Sequence, residues 1–182
     1  MIIALTAKLI AVPEEAWPRL VSTCERGEPL PPPVGHAATV GALSALATIV
    51  GAAITVGASV GGTVVHALAA VAGYVGAAVG CTSLAPMLIR LSTSSPDQVA
   101  RYASAAVLPL LASGILCVVP LTVLALGWTT LGTILCARSS WIGANAMLGL
   151  SGRPRRNATI VVAAVGAVPV LTGIALRILL AP

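Results

Sequence analysis

The feature that most restricts the fold of this chain is an almost unbroken apolar stretch from Val34 to Leu180, rich in Ala, Val, Gly and Leu. Charged residues are confined almost entirely to three short clusters, at positions 8–28, 90–101 and 138–156. A soluble domain of this length leaves much more charge on its surface than the 8% charged residues found here, beside 58% hydrophobic residues. The chain is therefore expected to be an integral membrane protein.

The length of the apolar stretch sets the number of membrane crossings. A spanning helix needs about 20 mostly apolar residues, so there is room for about five spans. We expect an all-α, polytopic membrane helix bundle, with residues 1–33 as a cytoplasmic N-terminal segment and residues 34–182 as the five-span domain. The predicted spans are 34–60, 63–84 (extended to Arg90), 99–118, 121–150 and 158–180.

The N-terminal segment combines an apolar start with a proline-rich end. Its first 12 residues are too short to cross a membrane and predict a helix lying in the interface. Pro13–Leu20 predicts a short amphipathic turn in which Trp17 sits at the membrane interface. From Ser22 to Pro33 the prolines remove backbone donors and fix φ, which predicts an extended lead-in without helix.

The connections between the spans are short. Gly61-Gly62 is predicted to form the first turn at one membrane face, and Val118-Val119-Pro120 the second. At the other face, Ser95 or Asp97 is expected to cap the third span.

The positive charges predict an orientation. Of the ten Lys and Arg residues, all but Arg177 fall on the same side of the five spans as the N-terminus. Because cytoplasmic loops carry the excess of Lys and Arg, the N-terminus is expected in the cytoplasm and the C-terminus outside.

The residues inside the spans argue against several function classes. No Asp or Glu lies within a predicted span, which argues against a transporter coupled to protons or cations. No catalytic motif or metal-ligand spacing occurs, so we expect no enzyme, cofactor or metal site. Basic residues without aromatic partners argue against nucleic acid. The cysteines within the spans are expected to be small buried side chains: Cys81, Cys117 and Cys136.

Three further features lend themselves to more than one interpretation. The spacing Gly73-x2-Gly76-x3-Gly80 predicts close helix packing, with a hinge as the alternative. Each proline within a span leaves one backbone carbonyl of its helix without a donor. Either neighbouring helices satisfy these carbonyls or the carbonyls face a cavity; the prolines are Pro86, Pro109 and Pro169. Arg153-Pro154-Arg155-Arg156 predicts a basic cytoplasmic loop that lies against anionic lipid or docks a protein.

Several motifs together resemble bacterial members of the Yip1-domain family. They are Pro13-Glu14-Glu15-Ala16-Trp17-Pro18-Arg19-Leu20, the run Gln98-Val99-Ala100-Arg101-Tyr102 leading to Pro109 and Pro120, and the region from Trp128 to Ala158. The resemblance covers nearly the whole chain and implies a five-span domain in the bacterial cytoplasmic membrane. It also implies that the motif residues form an interface: Pro13, Glu14, Glu15, Trp17, Arg101, Tyr102, Pro109 and Pro120. The chain departs from the family in the seven-residue spacing from Tyr102 to Pro109 and in having no Phe.

The function expected from these observations is that of a non-enzymatic membrane scaffold or accessory subunit. Its partners would be the lipid bilayer and other membrane subunits or further copies of the chain. An oligomeric conduit for ions or small molecules is the alternative, based on the proline-containing spans. A weaker alternative is a lipid-handling protein that uses Arg153, Arg155 and Arg156.

Overall fold

The computed structural model describes residues 2–26, 33–55, 60–89, 95–118 and 122–180. Within these ranges the chain is almost wholly helical and has no strand, which confirms the all-α prediction. The helices are α1 (Ile2–Ala11), α2 (Pro13–Glu25), α3 (Pro33–Thr55), α4 (Val60–Leu88), α5 (Pro96–Ser113), a 3₁₀ helix (Gly114–Val118), α6 (Thr122–Leu148) and α7 (Gly152–Leu180).

Four segments of the described chain are long and apolar enough to cross a membrane, which supports a membrane protein. They are Gly35–Ile54, Val64–Leu88, Pro96–Cys117 and Gly152–Leu180. Helix α6 is also long, at 27 residues, but does not belong to this set. It carries Arg138 and a series of Ser, Thr and Asn side chains, which lower its hydropathy.

Helices α3 to α7 form a bundle in which successive helices run in opposite directions. In the α5–α6 pair, Tyr102 contacts Ser140, whereas the earlier Gln98 contacts the later Met147. This alternation brings the starts of α3, α5 and α7 together with the ends of α4 and α6. We call this the basic end, because the charged residues of the described chain, apart from Arg177, gather here; the other is the opposite end.

Glycines allow α4 and α7 to approach closely, as the sequence predicts. A Cβ atom added to Gly73 would lie 3.3 Å from the carbonyl oxygen of Pro169, and one added to Gly80 would lie 3.1 Å from Val165 Cγ1. A Cβ atom on Gly173 would lie 2.5 Å from the carbonyl oxygen of Ala69. Small residues at these positions let two backbones come into contact, which replaces the missing hydrophobic force between helices in lipid.

The turn predicted at Gly61-Gly62 is wrong, because both glycines lie in the first turn of α4. The connection from α3 to α4 falls at 56–59, outside the described residues. Glycine is tolerated in membrane helices, where an apolar environment favours intrahelical backbone hydrogen bonds. The other predicted turn, at Val118-Val119-Pro120, also lies largely outside the described residues. Ser95 is the N-cap of α5 and accepts a hydrogen bond from the Gln98 amide, as predicted.

The Arg153–Arg156 segment is not a loop, because α7 begins at Gly152 and includes it. Pro154 is the third residue of the helix, where a missing backbone donor is tolerated. The true connection from α6 is only three residues long, at 149–151. Gly149 within it has a φ of 63°, and Gly152 directly after it has a φ of 57°. This tight turn fixes the basic residues at the start of a rigid helix.

The N-terminal segment contains two helices where the sequence predicted one helix, a turn and an extended lead-in. Helix α2 continues through Ser22 to Glu25, so the extended interpretation is wrong for these residues. Residues 27–32 lie outside the described chain. The helix buries one stripe at the spacing i, i+3, i+4, i+7, formed by Pro13, Ala16, Trp17 and Leu20. Burial of this stripe against the bundle stabilises the helix.

Candidate functional site

The most extensively built polar site lies at the basic end, where α2 packs against α5 and α6. Its centre is Trp17, which is 0% exposed. The indole Nε1 donates a hydrogen bond to Ser139 Oγ on α6 at 3.2 Å. The Trp17 ring also lies 6.0 Å from the Tyr102 ring, centroid to centroid, at a tilt of 41°. Trp17 therefore sits inside the protein, and its predicted place at the membrane interface is wrong.

The indole fits only because position 143 is a glycine. A Cβ atom at Gly143 would collide with the six-membered part of the Trp17 ring. The close approach gives an aromatic ring a flat helical surface to pack on, and Ser139 lies one turn earlier on the same face of α6. Packing against Gly143 and the bond to Ser139 together fix the position of α2.

Tyr102 is the second buried aromatic residue of the site and is also 0% exposed. Its hydroxyl forms hydrogen bonds with the carbonyl oxygen of Ser140, at 3.2 Å, and with the Ser140 hydroxyl. Adjacent serines of α6 thus satisfy the polar atoms of two aromatic side chains, which would otherwise be buried without partners.

An ion pair closes the exposed edge of the site. Arg138 on α6 donates a hydrogen bond to Glu14 Oε1 on α2 at 2.7 Å. This hydrogen bond is the main cause that lowers the pKa of Glu14 below its ordinary value of 4.5. Both side chains are about half exposed, so the pair adds little to stability and acts mainly on the orientation of α2.

The remaining residues of the predicted interface lie in different surroundings. Pro13 is buried at the start of α2, and Glu15 is exposed, with no ion pair among the described residues. Arg101 is half-buried on α5, and Pro109 is fully buried within the same helix. Pro120 lies outside the described residues. The fold therefore brings Glu14, Trp17 and Tyr102 into one site.

Sequence reasoning missed the α6 half of the site, formed by Arg138, Ser139, Ser140 and Gly143. It also missed Gln98, whose Nε2 donates to the carbonyl oxygen of Met147 at 2.7 Å. This bond satisfies one of the carbonyls left free at the end of α6. The burial spacing of α2 was the available signal for a docked helix, whereas nothing in the sequence around Ser139 indicated its partner.

The basic residues at the start of α7 differ in their contacts. Arg155 lies over the Trp141 ring, with the guanidinium carbon 4.1 Å from the ring centroid, and its Nε donates to the Trp141 carbonyl oxygen at 2.7 Å. Arg153 and Arg156 are exposed. Since a helix N-terminus carries partial positive charge, cations here are not placed for the stability of α7. They are available to anionic groups at the basic end.

Inside the spans, polar side chains mostly join helices. Ser44 on α3 donates to the carbonyl oxygen of Leu111 on α5, and the Tyr74 hydroxyl donates to Cys117 Sγ at 3.6 Å. Pro169 packs against Gly73 and Gly76 of α4, so it lies at a helix contact. Cys81, Cys117 and Cys136 are buried, as predicted, and Cys24 is half-buried. In the described parts of the chain, no three His, Cys, Asp or Glu side chains are grouped as metal ligands.

The fold and the site define a helical protein with apolar segments long enough to span a membrane, and with two N-terminal helices docked at one end. Comparison of the chain with known protein families, with curated proteins and with solved structures finds no significant match.

Proposed function

We propose that this protein is a non-enzymatic integral membrane scaffold or accessory subunit that resembles Yip1-domain proteins. The observation that carries the proposal is the docking of α2 on α5 and α6 through the buried Trp17. Docking turns an amphipathic helix into a fixed surface and leaves its outer side exposed, with Glu15, Pro18 and Arg19 facing away from the bundle. A rigid surface of this kind suits a protein that acts by holding a partner.

The proposed architecture has five spans, with α6 as the fourth in chain order. Helix α6 packs along both α5 and α7, and its 27 residues extend over about 40 Å. A helix of that length, packed between two spanning helices, crosses the same thickness of membrane. Arg138 lies ten residues before the end of α6, where its long side chain reaches the headgroup region and meets Glu14.

The proposed location is the bacterial cytoplasmic membrane, with the N-terminus inside and the C-terminus outside. Among the described residues, Arg177 is the one basic side chain at the opposite end, and the others belong to the basic end. The excess of cations on cytoplasmic loops supports this orientation. The bacterial membrane follows from the family resemblance.

The proposed partners are the lipid bilayer and other membrane subunits or further copies of the chain. Large apolar side chains are exposed along α3, α4 and α7, as expected of helices that contact lipid or neighbouring helices. The interface residues proposed for a protein partner lie on α2 and at the start of α7, including Glu15, Arg153 and Arg156.

The proposal is tested by purifying the tagged full-length chain from bacterial membranes in a mild detergent. We expect a discrete complex that contains a second protein or several copies of the chain. Trp17→Ala should release α2 and reduce recovery of the complex, whereas Trp128→Ala, which alters a tryptophan of α6 outside the α2 contact, should retain it. A monodisperse single chain without a co-purifying protein would contradict the proposal.

A further inference from the structure

Arg177 lies in the last turn of α7, at the end of the bundle opposite the basic clusters. Its side chain is half-buried, and its Nε atom is buried without a hydrogen-bond partner in the described part of the chain. The residues that follow it, Ile178 and Leu179, are exposed apolar side chains. A guanidinium at this depth is costly unless an opposite charge meets it.

No acidic side chain of the described residues meets Arg177. The five Asp and Glu residues of the sequence all lie in the first 97 positions: Glu14, Glu15, Glu25, Glu28 and Asp97. Those that the structure describes belong to α2 and to the start of α5, at the basic end. The carbonyl end of α7 offers only about half a negative charge, so the described residues leave part of the arginine's charge unbalanced.

The chemistry of Arg177 is suited to an oxyanion. An arginine binds phosphate with two parallel N–H donors, and the Nε–H of Arg177, which has no partner among the described residues, is free to be one of them.

We propose that Arg177 binds an oxyanion that enters from the opposite end of the bundle. The chemistry is that of a phosphate group, carried by a phospholipid headgroup or free in solution. The exposed leucines beside Arg177 place it at the depth where headgroups meet acyl chains. This site is independent of the proposed scaffold function and lies far from the docked α2 helix.

The test uses the full-length chain, stripped of lipid in a neutral detergent, with the unfolding midpoint followed by tryptophan fluorescence. One arm adds mixed micelles that contain phosphatidylglycerol, and the other adds inorganic phosphate against chloride of equal ionic strength. A rise in the unfolding midpoint with phosphatidylglycerol alone identifies a lipid headgroup as the ligand. A rise in the midpoint with inorganic phosphate identifies a free anion. No rise in either arm would overturn the proposal.

Matched variants locate the effect. Arg177→Gln should weaken the apparent affinity by about tenfold or more, because a charge-assisted hydrogen bond is lost. Lys8→Gln removes an exposed cation of α1 and should leave the affinity unchanged. If the glutamine variant fails to fold, Arg177→Lys serves instead and should bind several-fold more weakly, since lysine lacks the planar fork. Unchanged affinity in both Arg177 variants would show that the anion binds elsewhere.

Discussion

At the scale of single residues, the site depends on a glycine that makes room for one tryptophan and on a serine that accepts its hydrogen bond. Trp17 is larger than any other side chain buried in the described chain, and its polar atom has one partner, Ser139 Oγ. Gly143 supplies the space and Ser139 the acceptor. Because these two residues act through packing and through a hydrogen bond, their substitutions should have separable effects.

We expect Gly143→Ala to displace the Trp17 indole and destabilise the packing of α2 by about 1–3 kcal/mol, the usual cost of overpacking. Gly127→Ala is the matched control on the same helix, because a Cβ atom there meets nothing within 4 Å. Tryptophan fluorescence and proteolysis of the N-terminal segment measure the effect. Equal stability of the two variants would show that Trp17 does not pack against position 143.

Ser139→Ala should cost about 1–3 kcal/mol, since it leaves the buried Trp17 Nε1 without an acceptor. The helix should still form, because the alanine fits the same space. Ser83→Ala, at an exposed position of α4, is the control and should be nearly neutral. Denaturation of the two purified variants in detergent compares them, and a neutral Ser139→Ala would argue against the hydrogen bond.

At the scale of elements, the N-terminal helices belong to the bundle that they cover. Helix α1 packs mainly against α5, and α2 packs mainly against α6. The buried stripe of α2 provides the attraction, while the Glu14–Arg138 ion pair fixes how the helix is turned. Packing and charge thus contribute to different properties of the same contact.

The pH dependence of this contact follows from Glu14. Its pKa is lowered by the hydrogen bond from Arg138, so the paired carboxylate stabilises docking above the ordinary value of 4.5. That contribution should be lost as the pH falls below 4.5 and through the lowered pKa. Hydrogen exchange of the α2 amides at neutral and acidic pH measures the change. Glu14→Gln should remove the carboxylate's contribution, whereas Glu15→Gln should preserve it; identical profiles would exclude Glu14 as its source.

At the scale of the whole molecule, charge and apolar length act together to set the topology. The apolar helices run from one end of the bundle to the other, and the basic residues that the structure describes gather at one end, apart from Arg177. The proposed five spans place the C-terminus on the side opposite the N-terminus. This arrangement is accessible to direct measurement.

We expect alkaline phosphatase fused after Leu180 to be active and the same enzyme fused within the 149–151 turn to be inactive, because the enzyme folds only outside the cytoplasm. A fusion of green fluorescent protein at each position is the control and should give the reverse pattern. Active phosphatase at the 149–151 turn would overturn the proposed orientation, and equal activity at both positions would overturn the five-span arrangement.

The sequence predicts most of the helices, because a span in lipid must satisfy its own backbone and expose apolar side chains. It fails at particular residues. Gly61 and Gly62 are helical because membrane helices tolerate glycine, and Arg153 to Arg156 are helical because a glycine turn of only three residues precedes them. For Ser22 to Glu25, the prolines further along the chain suggested an extended segment, whereas these residues continue α2, whose buried stripe depends on the surface that it meets.

Local composition is enough to predict the membrane class and most of the helices, since both depend on neighbouring residues and on the solvent around the chain. The folded chain alone reveals that Trp17 is buried, that Glu14 meets Arg138, and that Arg177 has no partner for its Nε atom among the described residues. Trp17 and Ser139 are 122 positions apart. Contacts over such a separation depend on which helix faces pack together, and no local pattern specifies that choice.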